Sequence, residues 1–286
     1  MCAMQFPTRD EKGHKGTFGS VCVIGGKRSE DGAVMLGAPT LAANAAMRSG
    51  CGKVLLAMPQ PLLQAGLQMV PVATGIELPV DEVGRLIPSA AIEAIDRHAA
   101  SCRCLVIGPG FGFDWPQQQI LATLLSREDR PIILDADGLN AFAQLESGQL
   151  ELKAPTIMTP HVGEFNRLAS VVGVADSSAE TLAQAYGCVV VLKSSTTQIS
   201  NGVETVHDDS GSVVLATAGS GDVLSGIIAG TLSQFGVNCV EHLFQAATLG
   251  VRIHALAGEQ FAHEYGTVGM LATDLLERIP SAIGRV

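Results

Sequence analysis

The sequence predicts an α/β fold with a mostly parallel central sheet, flanking helices and an antiparallel edge. Short apolar runs of strand length alternate with longer stretches of helical spacing, an order that favours parallel pairing through right-handed crossovers. Glycine and alanine are abundant and aromatic residues make up only 4% of the chain, which suits helices packed closely on a parallel sheet. Asn201-Gly202 between two alternating segments predicts a β-hairpin, and hence the antiparallel edge.

The predicted strands are largely apolar runs of four to six residues, bounded by glycine, proline or polar residues. They are Ser20 to Ile24, Lys53 to Met58, Arg103 to Ile107, Pro131 to Leu134, Thr156 to Thr159 and Cys188 to Leu192, with the hairpin over Gln198 to Val206. Pro59 and Pro61 are expected to stop the second strand. The prolines and acids from Val70 to Pro88 predict a connection with a short edge strand.

Helices are predicted where apolar residues recur at helical spacing. They are Ala33 to Ser49, Ser89 to Ala100, Pro116 to Leu125, two amphipathic stretches before Cys188, Val223 to Phe235, Val240 to Ala262 and Leu271 to Ile279. We expect Asp135 to Asn140 to form a loop. Because there is no composition break, linker or internal repeat, a single domain is predicted over residues 1–286.

Charge and composition exclude several classes of function. A net charge of −10 argues against non-specific binding to nucleic acid or to an anionic membrane, although backbone amides can still bind an anion locally. No apolar stretch reaches the roughly 18 residues of a membrane span, and the first residues do not form a signal peptide. The seven cysteines are scattered without CxxC or zinc spacing, so we expect small core residues and a cytoplasmic location.

Glycine-rich and polar clusters follow several predicted strands directly. They are Gly25-Gly26, Gly108 to Gly112, Asp135 to Asn140, Pro160 to Glu164, and Lys193. Ligands of open parallel sheets bind beyond the carboxyl ends of the strands. We therefore expect these clusters to share one edge of the sheet and to surround the ligand.

The stretch from Thr217 to Gly226 is a small-residue loop that runs into a helix. Gly219 and Gly221 allow a tight turn and a close backbone approach, and the helix N-terminus offers unpaired N–H groups to an anion. This pattern predicts a phosphate site. Asp222 would repel phosphate unless it holds a metal or takes a proton, and a simple helix cap is the alternative role.

Two common nucleotide-binding motifs do not fit. Gly52-Lys53 has Met47 where a Walker loop needs its first glycine. The pair Gly110 and Gly112 could begin a dinucleotide motif, but Trp115 occupies the position of the third glycine. A glycine loop with an acid, leading into a helix late in the chain, is a different way to bind the phosphates of a nucleotide.

Several motifs in a fixed order resemble those of the ADP-dependent NAD(P)H-hydrate dehydratase family, within the ribokinase-like superfamily. They are Lys15 to Ser20, Ile24 to Gly26, Gly37-Ala38, Leu41 to Gly52, Gly108 to Gly112, Leu134 to Asn140, Thr159 to Glu164 and Gly219 to Asp222. The resemblance covers nearly the whole chain. It implies a ribokinase-like three-layer α/β/α fold with a mostly parallel sheet and an antiparallel edge.

The activity implied by this resemblance is repair of hydrated NADH or NADPH by a hydro-lyase. Such an enzyme phosphorylates the ring hydroxyl of the S-epimer with ADP, or with ATP in other members, and uses Mg²⁺. Elimination of phosphate then restores NADH or NADPH, and AMP remains when ADP is the donor. Phosphoryl transfer of this kind depends on positioning and charge neutralisation.

The resemblance also implies roles at the glycine loop. Asp222 would be the base that takes the proton of the substrate hydroxyl, and it would contact the hydrate. Gly219, Ser220 and Gly221 would offer N–H groups to the transferring phosphoryl group, with Gly221 also near the nucleotide.

The other implied contacts lie on the strand ends. Lys193, Ser194, Ser195, Thr196 and Thr197 would contact the nucleotide, although Ser195 stands where the family usually has glycine. The implied contacts with the hydrated dinucleotide are Ala38, Gly110 and His161. The acid implied to hold Mg²⁺ through water is Glu164, with Asp137 and Asn140 as second candidates.

Local patterns alone leave simpler roles open for some of these residues. His161 could merely start a helix, and Asp137 could cap one. Gly226 and Gly230, four residues apart on a helix, predict close helix packing. His254 is expected to be a structural histidine.

Two other functions remain as alternatives. A ribokinase-like kinase acting on a thiazole or pyrimidine alcohol would share Gly219 to Asp222 but release the phosphorylated alcohol, whereas His161 and Lys15 to Ser20 favour the dehydratase. A catalytically silent binding protein would be expected to lack Asp222. The resemblance further implies a homotetramer and functional pairing with an epimerase, which we expect to be a separate protein because this chain has no room for it.

Overall fold

The computed structural model describes residues 6–29, 31–127, 129–145, 152–174, 176, 178–235 and 240–286. Its strands are β1 (Ser20–Ile24), β2 (Lys27–Arg28), β3 (Val34–Met35), β4 (Lys53–Pro59), β5 (Thr74–Leu78), β6 (Cys104–Ile107), β7 (Ile132–Leu134), β8 (Thr156–Met158), β9 (Val189–Leu192), β10 (Thr197–Ser200) and β11 (Thr205–Asp208). Its helices are α1 (Gly37–Arg48), α2 (Gln60–Met69), α3 (Pro88–Ala99), α4 (Trp115–Leu125), α5 (Asp137–Ala143), α6 (Val162–Val172), α7 (Ala179–Tyr186), α8 (Ser220–Leu232), α9 (Val240–Tyr265) and α10 (Ala272–Ile283).

The central sheet has nine strands in the order β11-β10-β9-β8-β7-β6-β1-β4-β5. Every pair from β5 to β9 is parallel, and β10 and β11 add an antiparallel edge. The strand order reverses at β1, because the chain continues to β4 and β5 on one side and then crosses to β6 on the other. The carboxyl ends of β1 and β6 therefore flank the crevice in which doubly wound sheets bind ligands.

Helices cover both faces of the sheet. Along β1, Val21 and Val23 join the core shared with α1, α2, α8 and α9, whereas Cys22 and Ile24 join the core shared with α3 to α7. This alternation follows from the two-residue period of a strand. A third apolar cluster packs α10 against α1, α8 and α9. The predicted three-layer α/β/α fold with a mostly parallel sheet is confirmed.

Helix α8 packs tightly on α1 through two glycines. A Cβ atom on Gly226 would lie 2.2 Å from the carbonyl oxygen of Ala42, and one on Gly230 would lie 2.5 Å from that of Ala46. No side chain fits at these separations, so the prediction of close helix packing is confirmed. The contact fixes the position of α8 under the sheet, and with it the position of Asp222.

The structure corrects three expectations about local structure. Helix α1 begins at Gly37 rather than Ala33, because β3 pairs with β2 in a small antiparallel sheet and short apolar runs fit either structure. The expected loop after β7 is already helical from Asp137, after a sharp turn at Ala136 with a φ of 48°. The second strand ends at Pro59 as expected, whereas Pro61 takes no part in ending it and lies in the first turn of α2, where proline is well tolerated.

The cysteines of the described segments are core residues. Cys22, Cys51, Cys102, Cys104 and Cys188 are buried and free, and burial raises the pKa of each thiol. Cys2 and Cys239 fall outside the described residues. In the part of the chain that the structure describes, none of the helices has the length and apolar character that crossing a membrane requires.

Candidate active site

The loops that follow the parallel strands contact one another at one edge of the sheet. The amide of Gly26 donates to the carbonyl oxygen of Pro109 at 3.2 Å, joining the ends of β1 and β6. A Cβ atom on Gly108 would lie 1.8 Å from the carbonyl oxygen of Asp135, so the end of β7 is equally close. The amide of Lys193 donates to the carbonyl oxygen of Pro160 at 2.8 Å, joining β9 to β8. The predicted common edge is confirmed.

Asp222 lies in the first turn of α8 and does not cap the helix. The N-cap is Gly219, which has a φ of 87° and provides no side-chain hydrogen bond to the helix. Ser220, Gly221 and Asp222 are the first helical residues, and the amides of a first turn have no acceptor within the helix. The amide of Ser220 donates instead to the carbonyl oxygen of Thr217 at 3.3 Å, so the expected N–H contribution of Ser220 is corrected and the amides of Gly221 and Asp222 remain for an anion. The capping alternative for Asp222 is therefore wrong, and the turn leaves N–H groups and a positive dipole end for an anion.

Lys193 connects three of these elements. Its Nζ lies 2.9 Å from Oδ1 of the buried Asp135, and a Cβ atom on Gly221 would lie 3.3 Å from the same nitrogen. The ammonium group thus sits between the end of β7 and the start of α8. Burial alone would lower the pKa of Lys193, but the negative charges of Asp135, Glu164 and Asp222 raise it, so the side chain stays charged.

The carboxyl group of Asp222 has the proton affinity of a general base that works near neutral pH. Burial raises its pKa from 3.8 to about 7, helped by the nearby negative charge of Asp135 and opposed by Lys193. A base with a pKa near the working pH is both present in its ionised form and able to accept a proton. The geometry therefore places a proton acceptor beside an anion-binding helix end.

Ala38 and Gly110 face each other across the crevice between β1 and β6. A Cβ atom on Gly110 would lie 3.5 Å from that of Ala38 and 3.1 Å from that of Met35. The neighbouring loop is held by Asp137, whose Oδ2 accepts a hydrogen bond from the amide of Gly112 at 2.8 Å. Asp137 is the first residue of α5 rather than its N-cap, so its carboxylate is free to hold this loop.

His161 and Glu164 form a capping box at the start of α6. His161 Nδ1 accepts hydrogen bonds from the amides of Gly163 (2.9 Å) and Glu164 (3.3 Å), while Glu164 Oε2 accepts from the amide of His161 at 2.9 Å. The simpler role considered for His161 is therefore real. The side chain of His161 remains 56% exposed, so a ligand can still contact its ring. The backbone of His161 forms an isolated parallel β-bridge with that of Lys193. Burial lowers the pKa of His161 and raises that of Glu164 to about 7.

The segment expected to contact the nucleotide forms the turn between β9 and β10. Ser194, Ser195 and Thr196 are exposed, and Ser194 Oγ donates to the carbonyl oxygen of Thr196. Thr197 Oγ1 donates to the carbonyl oxygen of Ser194 at 3.3 Å. The turn thus presents hydroxyl groups beside Lys193, at the same edge as the rest of the site.

The residues present fit a magnesium ion only if phosphate and water supply most of its ligands. Among the described residues no three His, Cys, Asp or Glu side chains converge as a metal site. One oxygen of Glu164 is already engaged in the capping box, and Asn140 Oδ1 accepts from Arg167 Nε at 3.1 Å. Mg²⁺ commonly takes one or two carboxylates together with water and substrate phosphates, and Glu164 fits that part.

Two positioning residues were given no part in the site by the sequence-based predictions. Asp135 was only one member of a polar cluster, although an acid directly after a buried strand is a recognisable signal. His254 Nε2 lies 3.0 Å from both Oγ and the carbonyl oxygen of Ser220. Burial lowers the pKa of His254 to about 4, so it is neutral, and the predicted structural histidine holds the first residue of α8 in place.

The mostly parallel sheet with its antiparallel edge is the fold of the ribokinase-like class: a ribokinase-like superfamily protein of Enterococcus faecalis has a TM-score of 0.80 at 25% identity, with 98% of this chain and 92% of the other covered. Within this class, a family model described as NAD(P)H-hydrate dehydratase matches residues 21–281. The chain belongs to the NAD(P)H-hydrate dehydratase family.

Individual relatives agree with this assignment. The chain is 35% identical to the ADP-dependent (S)-NAD(P)H-hydrate dehydratase of Neisseria meningitidis serogroup B, with 96% of this chain and 89% of that protein covered. It is 33% identical to the bifunctional NAD(P)H-hydrate repair enzyme of Salinibacter ruber, covering 96% of this chain and 50% of the relative. The chain thus spans about half the length of that bifunctional relative.

A solved structure with the same fold is also similar in sequence. It is the ADP/ATP-dependent NAD(P)H-hydrate dehydratase of Bacillus subtilis, crystallised with ATP and Mg²⁺. The TM-score is 0.76 at 29% identity, with 98% of this chain and 94% of the other covered.

Proposed function

We propose that the protein is an ADP-dependent (S)-NAD(P)H-hydrate dehydratase, which converts hydrated NADH or NADPH back to NADH or NADPH. The observation that carries the proposal is the pairing of Asp222, with a pKa of about 7, with an uncapped helix N-terminus and the ammonium group of Lys193. A proton acceptor and a phosphate site lie side by side there, as transfer of a phosphoryl group to a hydroxyl requires.

In the first step the ring hydroxyl of the hydrate attacks the β-phosphorus of ADP. Asp222 takes the hydroxyl proton as the new O–P bond forms, and the bond from that phosphorus to the bridging oxygen breaks to release AMP. The amides of Gly221 and Asp222 in the first turn of α8 donate to the phosphoryl oxygens, and Lys193 neutralises their charge. The loop backbone can lie close to the transferred group because its residues are small, namely Gly219, Ser220 and Gly221.

In the second step phosphate leaves from the ring. The C–O bond breaks with its electrons on the phosphate, a proton leaves the neighbouring ring carbon, and the double bond of the dihydronicotinamide is restored. The overall products are NAD(P)H, AMP and phosphate, so the water removed from the ring is consumed in the cleavage of ADP. Phosphate is a far better leaving group than hydroxide, which is why the first step is needed.

Substrate and nucleotide would occupy opposite sides of Asp222. The hydrated dinucleotide would contact Ala38, Gly110 and His161, and the nucleotide would contact Gly221 and the turn 193–197, whose members are Lys193, Ser194, Ser195, Thr196 and Thr197. Magnesium bound with the nucleotide would supply charge neutralisation on the phosphates. Glu164 would hold the ion through water, with Asp137 and Asn140 as second candidates.

The choice of ADP over ATP as donor follows the N. meningitidis relative, whose name specifies ADP, while the B. subtilis enzyme is described as ADP/ATP-dependent. The test incubates the protein with hydrated NADH, Mg²⁺ and either nucleotide while the absorbance of dihydronicotinamide is followed. We expect recovery with ADP, formation of AMP, and loss of about 10² to 10⁴ in rate in Asp222→Asn. Full activity in that variant would remove Asp222 from the mechanism.

The same assay separates the dehydratase from a small-molecule kinase. A kinase would transfer phosphate to its alcohol and stop, so a phosphorylated product would accumulate and the dihydronicotinamide absorbance would not return. If neither nucleotide restores the absorbance, the dehydratase proposal is wrong. No feature of the described site favours the kinase over the dehydratase.

The cellular setting is proposed on the resemblance. We propose a homotetramer in the cytoplasm, one domain per chain over residues 1–286, and cooperation with an epimerase that interconverts the two hydrate epimers. Sedimentation analysis tests the tetramer, and limited proteolysis tests the single domain. Addition of a purified epimerase to the repair assay tests the cooperation, because conversion should then proceed beyond the S-epimer.

A further inference from the structure

One residue beside the candidate active site adopts a backbone conformation that its side chain disfavours. Ala136, between β7 and α5, has a φ of 48° and a ψ of −121°. Every other residue with a positive φ in the described ranges is a glycine. Steric clashes of the Cβ atom exclude residues other than glycine from most of this region. Alanine at this position therefore carries a strain that glycine would not carry.

Hydrogen bonds hold the strained turn on both sides of Ala136. Before it, the amide of Asp135 donates to the carbonyl oxygen of Ile107 at 3.1 Å. After it, the amide of Gly138 donates to the carbonyl oxygen of Asp135 at 2.9 Å, and that of Leu139 donates to the carbonyl oxygen of Ala136 at 3.0 Å. A disfavoured backbone conformation persists only where its surroundings determine it, and such residues cluster at functional sites.

The turn separates two carboxylates that a continued strand would place side by side. Residues two apart on a strand point to the same face of the sheet, so Asp135 and Asp137 would repel each other there. Instead, Asp135 Oδ1 lies 2.9 Å from Lys193 Nζ, and Asp137 Oδ2 accepts from the amide of Gly112 at 2.8 Å. Lys193 follows β9, two strands from β7 on one side, whereas Gly112 follows β6, the neighbouring strand on the other side. The two carboxylates thus hold partners in opposite directions along the sheet edge.

Both of these partners border the site around Asp222. A Cβ atom on Gly221 would lie 3.3 Å from Lys193 Nζ, so the ammonium group is next to the first turn of α8. Gly112 belongs to the loop that carries Gly110. The charges of the two carboxylates and of Lys193 also act on Asp222. A change in the conformation of the turn would therefore disturb the site from two directions.

We propose that Ala136 is a positioning residue for the proposed reaction. Its methyl group excludes the additional conformations that glycine could adopt at the turn, so Asp135 stays on Lys193 and Asp137 stays on Gly112. The strain lowers the stability of the fold, and the restriction keeps the site in one arrangement. The inference rests on the proposed function, and it adds a residue that acts through these two carboxylates.

The test is a variant that should affect stability and catalysis in opposite directions. Ala136→Gly relieves the strain, so the Tm should rise by about 2 °C. The less restricted turn should lower kcat for hydrated NADH about tenfold, because the groups around Asp222 are no longer held in one geometry. KM should change by less than about twofold, since contacts outside the turn remain. A residue with only a structural role would not lower kcat while its replacement raises the Tm.

Two further variants are the controls. Ala136→Ser is the conservative variant, because it keeps a Cβ atom, and it should retain the wild-type kcat and Tm. Ala143→Gly removes a half-buried methyl group at the other end of α5, where φ is not positive. Glycine is unfavourable in a helix, so this variant should have a lower Tm and an unchanged kcat.

Hydrogen exchange of the Gly112 amide tests the turn without any substrate. In Ala136→Gly this amide should exchange about tenfold faster, because Asp137 no longer holds it continuously, whereas Ala136→Ser should exchange at the wild-type rate. If the wild-type protein showed no repair activity, the proposed function would fail, and the exchange rates would still decide the role of the turn. An unchanged exchange rate, a lower Tm or an unchanged kcat in Ala136→Gly would each overturn the inference.

Discussion

Lys193 Nζ lies 2.9 Å from Asp135 Oδ1, an ion pair that joins the ends of β9 and β7 across 58 residues of sequence. Asp135 is only 1% exposed, so its charge has little contact with water. A buried carboxylate of this kind depends on its partner for compensation. The same ammonium group lies beside Gly221 at the start of α8, so one side chain would serve both stability and the proposed catalysis.

Removal of this cation should weaken both the fold and the reaction. In Lys193→Met we expect a loss of about 3 kcal/mol in the free energy of unfolding, because Asp135 is left buried and unpaired. The rate of repair should fall about 100-fold through loss of charge neutralisation. Urea denaturation and the repair assay measure the two effects.

A double-mutant cycle with Asp135→Asn provides the control for this pair. Since the asparagine carries no charge that needs a partner, Lys193→Met should cost much less stability in that background. Additive losses of stability would show that the ion pair does not hold the two strand ends together.

The pH dependence of repair should follow the ionisation of Asp222. The base works only when deprotonated, so kcat/KM should rise with pH and level off above a pKa of about 7. Below that value the rate should fall about tenfold for each pH unit if this one group is responsible. A rate independent of pH between 5 and 8 would contradict the assignment of Asp222 as the base.

The same pKa predicts that Asp222 lowers the stability of the fold when it is ionised. Burial raises the pKa of Asp222 from 3.8 to about 7, so the folded chain binds its proton more tightly than the unfolded chain does. Its favourable contribution is complete below pH 3.8 and is lost as the pH rises through 7. Asp222→Asn, which stays neutral, should be more stable than wild type by more than about 1 kcal/mol at pH 8.

Unfolding in urea at pH 4 and pH 8 tests this prediction. At pH 4 the difference should be much smaller, since the aspartate is then protonated in the folded state and close to its ordinary pKa of 3.8 in the unfolded state. Ser225→Ala, one turn further along α8, is a variant in the same helix without a change of titratable group, and its effect should not depend on pH. A wild-type protein more stable than Asp222→Asn at pH 8 would contradict the raised pKa.

The helix-capping role and the ligand-binding role of His161 can be separated by comparing two substitutions. Asparagine is a favoured N-cap residue, so His161→Asn should keep the start of α6 and the stability of wild type, while His161→Ala should lose about 1 kcal/mol. If the ring contacts the hydrate, both variants should raise KM for it. Chemical denaturation and steady-state kinetics distinguish the two effects, and a normal KM in His161→Asn would leave only the cap.

Much of the fold was predictable from the sequence because its signals are local. The buried strands are continuous apolar runs, and Asn201-Gly202 marked the hairpin that becomes β10 and β11. The glycine loop before α8 was equally predictable, because the glycines and the acid that form it are adjacent in sequence. The small sheet of β2 and β3 was not, because two-residue strands leave no periodic pattern.

The parts of the site that the sequence did not predict are formed by residues that are close in space but far apart in sequence. The partner of Asp135 could not be inferred, because the pairing follows from the order of strands in the sheet. Nor could the pKa of Asp222, which reflects burial and the charges of four groups on other elements, namely Asp135, Lys193, Asp137 and Glu164. The sequence also did not indicate the turn at Ala136, because residues other than glycine rarely adopt a positive φ.

The burial of the thiols in the described segments affects how readily the protein reacts with oxidants and alkylating agents. Oxidants and alkylating agents attack thiolates that they can reach, but burial keeps Cys22, Cys51, Cys102, Cys104 and Cys188 protonated and enclosed. None of them lies in the site formed by Asp222 and Lys193. Peroxide should therefore react slowly with these five side chains for as long as the protein stays folded.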